Sequence, residues 1–191
     1  MPITVETLSN TQLENLIENH RRQRATNAPL YADALRELEK RKGKGLDLDK
    51  SLAIIRQAAK ERRFINYKKL ADASGTDWNQ VRFAMNGHLW NLVEYSHLKH
   101  GILFSAIVVN TPNVASGKMA AETLKGFLGA ARLLNYPITD EEGFLKEQQA
   151  RVFAWARGEP TATSRWEVVG TADPAENRAY SIKGSGQEPH G

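Results

Sequence analysis

Apolar residues recur at helical spacing along most of the chain, and a continuous apolar run of strand length occurs once. Ser9 with Gln12 three residues later has the form of a capping box, followed by a narrow stripe of Leu13, Leu16 and Ile17. Pro29 opens a second helix reaching about Lys42, with Leu30, Ala34, Leu35 and Leu38 on one face and a break at Gly43-Lys44-Gly45. Both stripes are thin and both segments are rich in charge, the pattern of a hairpin that leans on something else. A third helix is expected from Asp47 to Arg62, with Leu48, Leu52, Ile55 and Ala59 inward. Phe64–Tyr67 is a short apolar link. Lys68–Ser74 then reads as a short helix closed by Gly75, a residue suited to a left-handed position. Thr76 and Asp77 can cap a helix over Trp78–Met85, which Asn86-Gly87 should end. Another follows over Leu89–Lys99, stopped by Gly101.

Ile102–Asn110, β-branched and bounded by Gly101 and Pro112, is the expected strand. A polar loop, Thr111–Gly117, leads to a helix over Ala120–Leu134 with Leu124, Phe127, Leu128, Ala131 and Leu134 inward. Thr139, with Glu142 three residues on, should cap the last helix, whose inward face carries Phe144, Leu145, Gln148, Val152, Phe153 and Trp155. Beyond Arg157 periodicity stops and Gly, Pro, Ser, Thr and Ala dominate. The expected architecture is mainly α, with a winged-helix-like helix–turn–helix core and one or two short strands, flanked by an N-terminal helical hairpin and two C-terminal helices. Its parts are a basic helical arm over 1–45, the core with its packing helices over 46–157, and a flexible tail over 158–191.

Charge adds what periodicity cannot. The chain of 191 residues carries 26 Lys and Arg against 22 Asp and Glu, a net +4, and no cysteine. The excess is local. Between Arg21 and Lys69 lie fifteen basic and six acidic residues, a surplus of nine, while the rest of the chain is net acidic. The absence of cysteine excludes disulfide scaffolds, thiolate metal sites and thiol nucleophiles. No stretch has the roughly 20 apolar residues of a membrane span, and Met1–Glu6 lacks signal-peptide character, so no membrane association and a cytoplasmic location are expected.

The basic segment abuts the helix–glycine–helix pattern of Phe64–Met85. On such a pair Leu70 and Ala71 would pack on Val81 and Met85, leaving Trp78, Asn79, Gln80 and Arg82 for a groove; Asn and Gln suit adenine, and Arg suits guanine or phosphate. Arg56, Lys60, Arg62, Arg63, Lys68 and Lys69 would hold phosphates. Asn66-Tyr67-Lys68-Lys69-Leu70-Ala71, Gly75, Val81, Ala84-Met85-Asn86-Gly87 and Tyr95-Ser96-His97 resemble the winged-helix DNA-binding domain of the O6-alkylguanine-DNA alkyltransferases and alkyltransferase-like proteins. The resemblance covers about Phe64–His97 and implies a DNA-binding fold. It does not imply the chemistry. Ser96 falls where the alkyl-accepting cysteine belongs, Tyr95 replaces the proline, Leu98 replaces the arginine, and the family's arginine finger falls at Asn79. The C-terminal part, from Ser105–Asn110 through Phe153–Ala156, is similar to a module of bacterial proteins of uncharacterised function, which implies no activity.

Other chemistry is sparser. Glu94, His97 and His100 share helical spacing that could hold a metal, although they do not form His-Glu-x-x-His, and a helix-end histidine is the plainer reading of His100. Ser96 beside His97 lacks a nucleophile elbow. No phosphate loop or dinucleotide fingerprint is present, so no cofactor is expected. Trp78 and Trp90 could stack on bases or serve the core. The leading expectation is a non-enzymatic protein that binds nucleic acid, with duplex DNA foremost, as a regulator or DNA-transaction accessory factor. The alternatives are an interaction module, dimerising through the N-terminal helices, and a His-based metal-dependent hydrolase or nuclease.

Overall fold

The computed structural model describes residues 4–23, 25, 28–42, 45–161 and 164–166. Among them it is mainly helical: α1 (Asn10–Arg22), α2 (Pro29–Lys42), α3 (Leu48–Lys60), α4 (Tyr67–Ser74), α5 (Trp78–Val81), α6 (Met85–His100), α7 (Ala121–Leu133) and α8 (Glu141–Ala156). Two short strands, β1 (Ile65–Asn66) and β2 (Val108–Val109), pair in parallel with Ile65 opposite Val108. The strands are thus far apart in sequence, and no hairpin wing is formed among the described residues. No helix there is long and apolar enough to cross a membrane.

Capping sets the helix starts. The Ser9–Gln12 box closes in both directions, at 3.2 and 2.8 Å. The Asp47 carboxylate accepts from Lys50 N at 3.0 Å, and the Asn66 side chain accepts from Lys69 N at 3.0 Å. Gly75 ends α4 at φ +78, a conformation that costs little without a Cβ. At the last helix the cap is Asp140, which accepts from Gly143 N at 2.9 Å, and not Thr139. Asp140 is one residue nearer the first turn and offers a carboxylate, so it satisfies the free N–H groups better than the hydroxyl.

Two larger expectations are overturned. Asn86-Gly87 does not end a helix; it lies in the first turn of α6. Continuity from Met85 puts Met85, His88, Leu92 and Ser96 on one inward stripe, all buried, and that burial outweighs the roughly 1 kcal/mol a helical glycine costs. The expected helix over Trp78–Met85 accordingly shrinks to the single turn of α5, with Arg82–Ala84 as a bend. The expected strand over Ile102–Asn110 is mostly a 3₁₀ turn, Phe104–Ile107, before the two residues of β2. Every residue from Ile102 to Val109 is buried, so its backbone needs internal partners. Side chains of α6 and α8 supply them: Leu103 N donates to Gln148 Oε1 at 3.0 Å, Phe104 N to Ser96 Oγ at 3.2 Å, and Gln149 Nε2 to Ala106 O at 3.1 Å. With those partners present, a long neighbouring strand is unnecessary.

Among the described residues three apolar clusters result. The largest joins α3, α4, α5, α6 and α8 around Ile55, Leu70, Leu92, Phe104 and Ile107, and it includes Ala71, Val81 and Met85 as the pattern predicted. A second gathers Phe127, Leu128, Tyr136 and Phe144 between α7 and α8, with Trp166 packed on Phe144. Ordered packing therefore reaches Trp166 inside the stretch expected as tail, while 167–191 lie outside the described residues. The third holds α1 and α2 together through Leu13, Ile17, Tyr31 and Leu35, and Leu98 of α6 packs against it. The N-terminal hairpin thus leans on α6. Polar contacts reinforce this: Glu94, 1% exposed, receives Arg21 Nη2 at 2.5 Å and the Tyr31 hydroxyl at 2.7 Å.

Candidate nucleic-acid interface

The α4–α5 turn presents part of the expected set. Asn79, Gln80 and Arg82 are exposed, whereas Trp78 is half-buried against the main core. Arg82 stands in the bend after α5 and lays its guanidinium over Phe83, 4.6 Å from the ring centroid, with Phe83 84% exposed. Phe83 is absent from the expected contact set, and its exposure follows from its position on the face opposite Val81 and Met85.

The expected phosphate-holding residues do not form one stripe. Asp47 N donates to Ser74 Oγ at 3.0 Å, which pins the end of α4 to the start of α3. The thirteen residues of α3 then span about 20 Å, so Arg62 and Arg63 lie at the far end from the α4–α5 turn. Lys68 is bound to Asp72 at 2.8 Å, and Arg63 is paired with Glu61. Lys69 and Arg62 are exposed.

Arg56 and Lys60 are different. One helical turn apart on the outer side of α3, they line an open groove of about 430 Å³ shared with Tyr95 and His100 of α6 and Trp155 of α8, floored by Phe104. Among the described residues neither cation has a carboxylate partner within ion-pair distance. The Arg56 guanidinium lies 5.3 Å from the Trp155 ring centroid, and the His100 ring stacks on Phe104 at 5.2 Å and meets Trp155 at 5.0 Å. Burial, with Arg56 and Lys99 adding repulsion, lowers the His100 pKa from its usual value. The only carboxylate on the lining, Asp49, is held by Arg36 at 2.7 and 2.9 Å. The i, i+4 spacing of Arg56 and Lys60 was visible in the sequence; their convergence with His100 and Trp155 depends on how α6 and α8 cross α3.

The metal candidates part company. Glu94 is engaged by Arg21 and Tyr31, His97 Nδ1 lies 2.9 Å from the Tyr136 hydroxyl, and His100 faces the groove. Among the described residues no three His, Asp or Glu side chains gather as metal ligands. Ser96, fully buried, donates to Val93 O and receives Phe104 N, each at 3.2 Å. A different Ser–His–Glu chain, unanticipated, joins Ser51 Oγ to His88 Nε2 at 2.8 Å and His88 Nδ1 to Glu39, which also receives Asn91 Nδ2 at 2.6 Å. Ser51 is 0% exposed and His88 2%, so this chain locks α2 to α3 and α6 and reaches no substrate. No family model, no curated protein and no solved structure matches the chain.

Proposed function

We propose that this protein is a non-enzymatic nucleic-acid-binding protein, with duplex DNA the foremost ligand, that holds phosphates in the groove between α3, α6 and α8. The observation that carries the reading is the convergence of two uncompensated cations, Arg56 and Lys60, on the Trp155 and His100 rings. Cations supply affinity for a polyanion by releasing counterions, and an aromatic floor can take a base or back a guanidinium. Asn79, Gln80, Arg82 and Phe83 form a second, smaller contact at the α4–α5 turn. Binding rather than catalysis is favoured because Glu94 and His97 have separate internal partners and the Ser51–His88–Glu39 chain is sealed.

Fluorescence anisotropy with a labelled duplex, and with its single strands, tests this. Affinity should fall steeply with salt. The double variant Arg56→Gln, Lys60→Gln should bind about tenfold more weakly at low salt and flatten the salt slope by about two contacts. Absent or salt-independent binding overturns the proposal, and stronger binding of the single strand moves the ligand assignment from duplex to single-stranded DNA.

A further inference from the structure

A second concavity, of about 500 Å³, opens between the N-terminal half of α6 and α7 and shares no lining residue with the basic groove. That volume is in the range of small-molecule sites. Its lining combines Leu89 and Trp90 of α6 and Phe127 of α7 with the polar Asn86, Asn110, Glu122 and Thr123. At its floor stands Ser105. This residue is 8% exposed, yet its Oγ has no hydrogen-bond partner among the described residues. The exception is local: Leu103 N, Phe104 N and Ala106 O, on either side, are each satisfied by a side chain. The oxygen itself is sealed from solvent, so the contacts open to a ligand come from the side chains above it.

Charge defines the occupant. Glu122 is the only ionisable carboxylate on the lining, and no lysine, arginine or histidine is present there. Phosphates and carboxylates would meet one negative charge and no compensating cation. The Tyr67 hydroxyl, raised in pKa by burial, stays neutral, and Thr123 is already engaged as donor to Asn110 Oδ1 at 2.6 Å. We propose that this cleft binds a small aromatic amine, its ring against Trp90 and Phe127 and its ammonium group at the exposed carboxylate of Glu122. The site is independent of the nucleic-acid reading, since neither its residues nor its charge serve the groove.

Calorimetric titration of the full chain with three indoles of similar shape tests it: tryptamine, the neutral indole-3-ethanol and the anionic indole-3-acetate. Tryptamine should bind saturably at one site, the neutral analogue about threefold more weakly, and the anion more weakly still. Gly126 lines the cleft, and a Cβ placed there meets nothing within 4 Å, so Gly126→Leu should fill the space without disturbing the fold. It should abolish tryptamine binding while the melting temperature holds or rises. Glu122→Gln should erase the preference for the amine over the alcohol. No saturable tryptamine binding, binding unchanged by Gly126→Leu, or indole-3-acetate binding as tightly as tryptamine overturns the proposal.

Discussion

The two concavities share elements of wall and floor yet differ in the charge that selects a ligand. Helix α6 lines the cleft with Asn86, Leu89, Trp90 and Val93 and the groove with Tyr95 and His100. Consecutive residues of one 3₁₀ turn face the two sides: Phe104 floors the groove and Ser105 the cleft. The groove carries Arg56 and Lys60 beside aromatic rings, and the cleft carries a single carboxylate beside aromatic rings. The aromatic component is therefore common to both, and charge makes the distinction. A buried run with no neighbouring long strand can serve two surfaces because its backbone is satisfied by Ser96, Gln148 and Gln149 rather than by a sheet.

The strongest way to break this arrangement is to free α6 from the hairpin. Arg21→Met leaves the Glu94 carboxylate, 1% exposed, with the Tyr31 hydroxyl alone, and should cost about 3 kcal/mol in chemical denaturation. Both concavities should then fail together, since α6 walls both. A loss below about 1 kcal/mol would mean that the hairpin is a dispensable arm.

Acid should separate them. Burial, with a smaller contribution from Arg151, pushes His97 down to about 4 from its ordinary 6.5. The folded chain keeps this imidazole neutral while the unfolded chain protonates it, so stability is complete above pH 6.5 and declines as the pH falls toward 4, by about 2–3 kcal/mol. The loss falls on the α7–α8 side, where His97 meets Tyr136. His100, also lowered, would add a positive charge to the groove once protonated below its ordinary range, so any DNA affinity that survives should increase with acid. Denaturation midpoints of the parent chain and of His97→Phe across this range check the first effect; the variant should show a flatter pH dependence. Anisotropy of His100→Gln, with its acid enhancement lost, checks the second.

The smallest effect belongs to the α4–α5 turn. Asn79→Ala with Gln80→Ala should change stability by no more than about 0.5 kcal/mol, because both side chains are exposed. On DNA the change should be well below that of Arg56→Gln, Lys60→Gln. A larger loss at the turn would reverse the ranking of the two contact surfaces.

Local chemistry made much of the fold legible. The capping box at Ser9, the side chain of Asn66, the left-handed Gly75 and the apolar faces of α3, α7 and α8 all involve partners within a few residues, so spacing alone exposes them. Where several readings satisfied the same local rules, it failed. Ile102–Val109 has the composition of a strand, and Asn86-Gly87 that of a turn; burial of the whole first run, and of Met85, His88, Leu92 and Ser96 around the exposed Asn86-Gly87, decided both otherwise.

The candidate sites divide along the same line. By itself the sequence determined that the chain is mainly helical, that thiol chemistry is excluded, and that a surplus of nine positive charges lies between Arg21 and Lys69. Only the tertiary structure decided which of those charges are free, with Lys68 and Arg63 paired to acids and Arg56 and Lys60 meeting Trp155 and His100 from distant helices. It alone brought Glu122 of α7 and Trp90 of α6 to one cleft and left the Ser105 hydroxyl buried without a partner. The reason is one of range. Caps and periodicity act over a few residues, whereas free charge and an unpartnered buried hydroxyl depend on what segments far along the chain bring to the same place.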